Sequence, residues 1–236
     1  MSGDVQVRFC ERPGVRFPRA THPNVYVRSE RAGQRVMASL VRFIEKRLRL
    51  RVNRAKSAVA RPGSRHLVGF RLPRRKDGSV SVRLSERSRK RIDRKVVELT
   101  PRNWGGSLES CIERLNQYLE CWIGFFHVCS EVELHGLSTI DAHIRRRLRA
   151  IVLRHKKRRR HLLRWYLSRG VPAKIAGRDV YGRYKSHWAL SATEAAHRSM
   201  TTKWFGDRGL LPLKQRWRQL NSKRVKAPDQ LELVLA

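Results

Sequence analysis

Ser107–Phe126 reads SLESCIERLNQYLECWIGFF, and the spacing of its apolar residues decides the fold class. Leu108, Cys111, Ile112, Leu115, Leu119, Trp122, Ile123 and Phe126 recur three and four apart, which at 3.6 residues per turn makes one continuous stripe. Glu109, Glu113, Asn116 and Glu120 fall mostly off it, and Ser107 can cap the first turn. Downstream, Ser138 and Asp141 form a capping-box pattern for a further helix with the stripe Ile140, Ile144, Leu148, Ile151 and Val152. Upstream, Ile92, Val96 and Leu99 mark a helix stopped by Pro101 and Gly105-Gly106. HLLRWYLSRG (161–170) is closed by Gly170 and Pro172, and Ser191 with Glu194 predicts one last capped helix ending near Gly209. From Ser85 onward the chain reads as helical.

Before Ser85 the pattern changes. Asn24–Arg28 (NVYVR) reads as a strand, and Val36, Leu40, Ile44 and Leu48, flanked by Met37 and Val41, as an amphipathic helix. Leu50–Asn53 is predicted as a second strand and Leu67–Leu72 (LVGFRL) as a third. Asp77-Gly78 then turns the chain into SVSVRL, both central residues of such a turn wanting positive φ. Residues 24–84 thus read β-α-β-β-β. Residues 1–23, with Pro13, Pro18 and Pro23 and no apolar period, are predicted to be irregular or disordered. No fixed-period repeat is visible.

Charge narrows the function. The 236 residues carry 54 Lys and Arg against 19 Asp and Glu, a formal net charge of +35, so a polyanion is the expected partner. No acidic residue occurs from Ala142 to Arg178, a stretch that holds Arg145, Arg146, Arg147, Arg149, Arg154, Lys156, Lys157, Arg158, Arg159 and Arg160. Like charges three and four apart destabilise a helix unless phosphates or counterions neutralise them, and arginine's planar fork matches phosphate oxygens in pairs. This run is therefore the candidate phosphate-binding face, read as one helix whose basic residues surround every side but the apolar stripe. Trp122 and Phe126, on their stripe, read as core; Trp165 and Trp188 are open to either packing or stacking on bases.

Catalytic signals are missing. No phosphate-binding glycine loop, nucleophile elbow or H-E-x-x-H helix occurs. Asp141, Glu131 and Glu133 come closest to the clustered carboxylates of Mg²⁺ chemistry, yet Asp141 is better explained as a helix-start residue. Cys10, Cys111, Cys121 and Cys129 show no metal-ligand spacing and read as ordinary buried thiols. No apolar run reaches the roughly 20 residues of a membrane span and no secretory segment follows Met1, so no membrane partner and a cytoplasmic setting, bacterial cytosol or nucleoid, are expected.

Several segments taken in order resemble the group II intron reverse transcriptase/maturase family. NVYVRSERAGQRVM (24–37), FIEKRLRLRVNRAKSAV (43–59) and LVGF (67–70) resemble the end of that family's palm. LNQYLECWIGFF (115–126) is similar to its L-x-x-Y-L-x-G-W-x-x-Y-F helix, with Cys121 for Gly and Phe125 for Tyr. DAHIRRRLRAIVLRHKKRRR (141–160) resembles its W-I-R-R-R-L-R helix, and SHWALSATEAAHRSMTTKWFGDRGLLPL (186–213) its closing segment, with Ala189 for Arg. The resemblance covers about residues 24–213. Where the family has the Y-A-D-D turn that holds catalytic magnesium, this chain reads Ala20-Thr21-His22-Pro23, and residues 1–23 resemble unrelated or frame-shifted sequence.

The resemblance implies an α+β, predominantly α fold: an irregular segment 1–23, a partial reverse-transcriptase palm 24–84, a thumb helix and linker 85–106, a maturase-specific domain 107–215 and a tail 216–236. It implies non-catalytic binding of structured group II intron RNA, assisting folding and splicing, with Lys56 at the palm lysine position as a further RNA contact. No cofactor is expected; Mg²⁺ would enter only through the RNA or through completion as a polymerase. The alternative is the C-terminal half of a split or degenerate reverse transcriptase, active only when a separate N-terminal chain completes it. A DNA target during retrohoming is a further partner the family implies.

Overall fold

The computed structural model describes residues 5–8, 24–183 and 186–225, and the chain divides into two compact units, 1–87 and 88–236. It is mostly α with some β: ten helices and five strands among the described residues. No described helix is long and apolar enough to cross a membrane. Cys10 and the 20–23 segment lie outside the described residues.

In the N-terminal unit, strands β1 (Val5–Arg8), β2 (Asn24–Val27) and β3 (Ala58–Ala60) form an antiparallel sheet in the order β2-β1-β3. This sheet differs from the sequence expectation in two places. Residues 5–8, read as irregular, supply the central strand: Val5-Gln6-Val7-Arg8 alternates apolar and polar, too briefly to stand out beside three prolines. The strand after the first helix is Ala58–Ala60, not Leu50–Asn53, because it is the former that registers with β1. Helix α1 (Glu30–Lys46) is capped by Ser29, whose Oγ accepts from Ala32 N at 3.2 Å. Ile44 is the buried centre of this unit, packed against Val25, Met37, Leu40, Val41, Val52 and Val59.

LVGFRL is not a continuous strand either. Val68 and Gly69 both have positive φ, 47° and 94°, and Leu67 and Phe70 exchange backbone hydrogen bonds at 2.9 and 2.8 Å, a two-residue reverse turn. Strand β4 (Phe70–Arg71) then pairs with β5 (Arg83–Leu84). The hairpin tip does fall at Asp77-Gly78, but only Gly78 takes positive φ, 85°. Asp77 Oδ1 instead accepts from the Ser79 amide at 2.8 Å, closing a wider loop.

Among the described residues the C-terminal unit holds helices and no strand. The stripes of α2 (Glu86–Leu99), α3 (Leu108–Phe126) and α4 (Leu134–His155) are buried as their periodicity predicts, except that Phe126 at the end of α3 is half-buried. Ser107 Oγ caps α3 by accepting from Ser110 N at 3.1 Å, and Trp122 is 6% exposed with its ring 4.7 Å from Phe126. Helix α4 packs against α3, against α7 (His187–Leu190) and against α10 (Leu213–Val225). Helices α5 (Arg159–Leu167), α6 (Ala173–Tyr181) and α8 (Glu194–Ser199) pack on one another. With α9 (Thr202–Gly206), the stretch predicted as one helix from Ser191 up to Gly209 becomes two short ones, because Thr193 rather than Ser191 caps the first and Thr201 caps a new start. Residues 216–225, read as tail, continue α10, and Trp217 is buried.

Polar side chains of α4 finish the ends of other helices. Asp141 does not start a helix: it is buried in the middle of α4 and accepts from Leu213 N at 3.0 Å and Lys214 N at 3.2 Å, the first turn of α10. Burial raises its carboxyl above the usual range, opposed by those two amides. Glu133, the buried cap residue before α4, pairs with Arg89 of α2. A Cβ on Gly136 would stand 2.6 Å from that carboxylate and 2.7 Å from that guanidinium, so the pair depends on a bare backbone there.

Candidate nucleic-acid interface

The basic run does not form one helix. Helix α4 ends at His155, Lys156 leaves helical geometry (φ −92°, ψ 67°), and α5 begins at Arg159. No glycine or proline forces the break. Continuing the helix would stack Arg154, Lys157, Arg158 and Arg160 three and four apart with no acid between them, and a corner lets them splay.

Arg147 and Arg149, expected on the basic face, are buried instead, 6% and 5% exposed. Arg147 donates from Nε to Thr100 Oγ1 and from Nη2 to Thr100 O, both at 2.5 Å, and from Nη2 to Val97 O at 3.2 Å, closing the C-terminal end of α2. Arg149 donates to Met200 O at 3.3 and 3.2 Å, closing α8, and faces His197 Nε2 at 3.4 Å. Burial, with Arg145 nearby, pulls the Arg149 guanidinium down to about 10, still charged at neutral pH. Arg146 is half-buried with its guanidinium 4.1 Å from the centre of the Trp188 ring, a ring that Arg102 also approaches at 5.1 Å. Arg145 is half-buried beside it on α4. Lys156 is half-buried, 5.5 Å from the Trp165 ring.

Arg154, Lys157, Arg158, Arg159 and Arg160 are exposed, as is Arg164 one turn further along α5. None of the six has an ion pair among the described residues; the paired acids of this unit are held by Arg89, Arg178, Arg198, Arg208, Arg216 and Lys95. The α4–α5 corner is therefore a positive surface without internal counterions. Lys56 is exposed in the loop between α1 and β3 of the N-terminal unit, its amide tied to Asn53.

A second group escapes a search for charge runs. Trp165 and Arg169, then Trp204 and Arg208, are each four residues apart, and tertiary packing merges them. Arg169 lies 4.5 Å from the Trp165 ring and 5.3 Å from the Trp204 ring, while Arg208 lies 3.7 Å from the latter. The i, i+4 pairing of Trp with Arg is the sequence signal that could have found it.

Among the described residues no group of His, Cys, Asp and Glu could hold a metal ion. Cys111 and Cys129 are buried thiols, pushed up by burial to about 11 and about 12, and Cys121 is exposed rather than buried as expected. Comparison with curated proteins yields no match. Residues 89–170, from the first turns of α2 through the basic corner to Gly170, match the family described as Group II intron, maturase-specific domain, so over this stretch the chain is similar to the C-terminal part of group II intron maturases.

Proposed function

We propose that the protein binds structured group II intron RNA through the α4–α5 corner and assists its folding for splicing, without catalysing a step itself. The maturase-specific stretch supports a role in group II intron splicing. The observation that carries the RNA reading is the corner within it: Arg154, Lys157, Arg158, Arg159, Arg160 and Arg164 are exposed, share one sign and have no ion pair among the described residues. Phosphates neutralise such a surface and release their condensed counterions, so affinity is salt-dependent, while the fold of the RNA sets specificity.

The test replaces Lys157, Arg158, Arg159 and Arg160 with Gln in the full chain. For every phosphate the variant no longer neutralises, the slope of log K against log salt should shrink by about 0.7–0.9. Affinity for a folded group II intron should fall further than affinity for duplex DNA of equal charge. An unaltered slope and unaltered intron affinity would remove the corner from RNA binding.

A further inference from the structure

Between α5, the C-terminal end of α8 and α9 lies an open cleft of about 700 Å³, bounded by Trp165, Arg169, Arg198, Ser199, Lys203 and Trp204, with Asp207 its one carboxylate. Its size lies within the range of small-ligand sites. We propose that this cleft receives an unpaired nucleotide of the bound RNA, its base against the indole and guanidinium row and its phosphate on Lys203 and Arg169. The proposal rests on the RNA-binding reading above and adds to it a site for single-stranded bases, apart from the phosphate-tracking corner.

Two observations carry it. First, the indoles are not core pieces: on the same helices the buried aromatic positions are taken by Tyr166 and Phe205, leaving Trp165 and Trp204 half-buried in the cleft wall. Second, cations and rings alternate as Lys156, Trp165, Arg169, Trp204 and Arg208, with separations of 5.5, 4.5, 5.3 and 3.7 Å. Unpaired bases stack on both kinds of plane, and the cations favour a phosphorylated ligand. Arg169 Nε and Trp204 Nε1 are buried N–H groups with no acceptor among the described residues. Neither atom is open to solvent, so these two N–H groups add no hydrogen bond to the row, and its contacts between ring and guanidinium are cation–π. Lys203 is exposed and unpaired among the described residues, whereas Arg198 is shared with Glu194 at 2.8 Å.

The cleft also joins the corner. Lys156 closes α4 and stacks on Trp165, and α5 runs from Arg159 in the corner to Trp165 in the cleft wall. A strand leaving a duplex held at the corner reaches the cleft along one helix.

The experiment measures the full chain against a single-stranded oligoribonucleotide, a blunt-ended RNA duplex of equal length, and adenosine monophosphate. Trp165→Leu and, separately, Lys203→Gln should weaken binding of the single strand, the Trp variant by about 5- to 150-fold. Both should hold the duplex within about twofold. Photo-cross-linking of the single strand to the unaltered chain should mark Trp165 or Trp204, a readout that survives if the Leu variant fails to fold. Equal weakening on both RNAs, or cross-links confined to the corner, overturns the cleft and leaves the corner standing. Adenosine monophosphate binding as tightly as the oligonucleotide would make the cleft a free-nucleotide site and overturn the RNA assignment. Failure of the unaltered chain to bind either RNA overturns the RNA-binding reading and the cleft together.

Discussion

Arg147 and Arg149 stand two positions apart in the most basic stretch of the chain, yet both guanidiniums face inward to backbone carbonyls. Replacing Arg147 by Gln strands the buried carbonyl of Thr100 away from water, which should cost about 1–3 kcal/mol. Denaturant unfolding should show that loss, while the salt dependence of the proposed RNA binding stays that of the parent; a shallower salt slope would place Arg147 on the proposed RNA surface. Trp122 is a simpler case. It fills the α3 stripe beside Phe126, and Trp122→Ala should lower stability by about 3–5 kcal/mol, read from the same unfolding curves. In the N-terminal unit Val68 holds a φ of 47° that β-branched residues rarely adopt, on an exposed side chain. Val68→Asn should raise stability by about 0.5–1 kcal/mol, since Asn tolerates this region; a lower melting temperature would show that the valine is held by packing instead.

At the scale of elements, the stripes of α2, α3 and α4 were legible because helical periodicity is local: Ile92 and Val96, Leu115 and Leu119, Ile144 and Leu148 announce their own burial. What was not legible depended on partners distant in sequence. Nothing near Arg149 says that the Met200 carbonyl will meet it, and nothing near Asp141 says that the amides it caps belong to Leu213 and Lys214. Val5–Arg8 is too short to carry a period, and it becomes a strand only because β2 and β3 flank it. Charge alone does not show which arginines turn inward, because a run of arginine looks the same whether it faces solvent or carbonyls. The broken helix makes its own prediction. Exchanging Lys157, Arg158, Arg159 and Arg160 for Gln removes repulsion at the corner without touching the core, so the melting temperature should hold or rise slightly. A marked fall would mean that these side chains support the α4–α5 junction.

For the molecule as a whole, acid is the expected weakness of the C-terminal unit. His143, His187 and His197 are all held below their ordinary value near 6.5, first by burial and then by neighbouring arginines, although Asp93 partly offsets this at His143. The unfolded chain therefore takes up protons more readily than the folded one. The stability these groups supply is present above about pH 6.5 and is lost as pH falls through their lowered values. Asp141 acts in the opposite sense: its raised carboxyl is relieved by protonation, but only toward the carboxylate range. Denaturation midpoints should thus drop between about pH 7.5 and 5.5; a flat profile would show that the three imidazoles do not differ between the two states. The three caps on α4 carry one last consequence. Asp141, Arg147 and Arg149 secure the start of α10 and the finish of α2 and α8, so those helices cannot fray alone while α4 is seated, nor survive its departure. In deuterated solvent the protected amides of α2, α8 and α10 should surrender their protons together with those of α4, as one kinetic set.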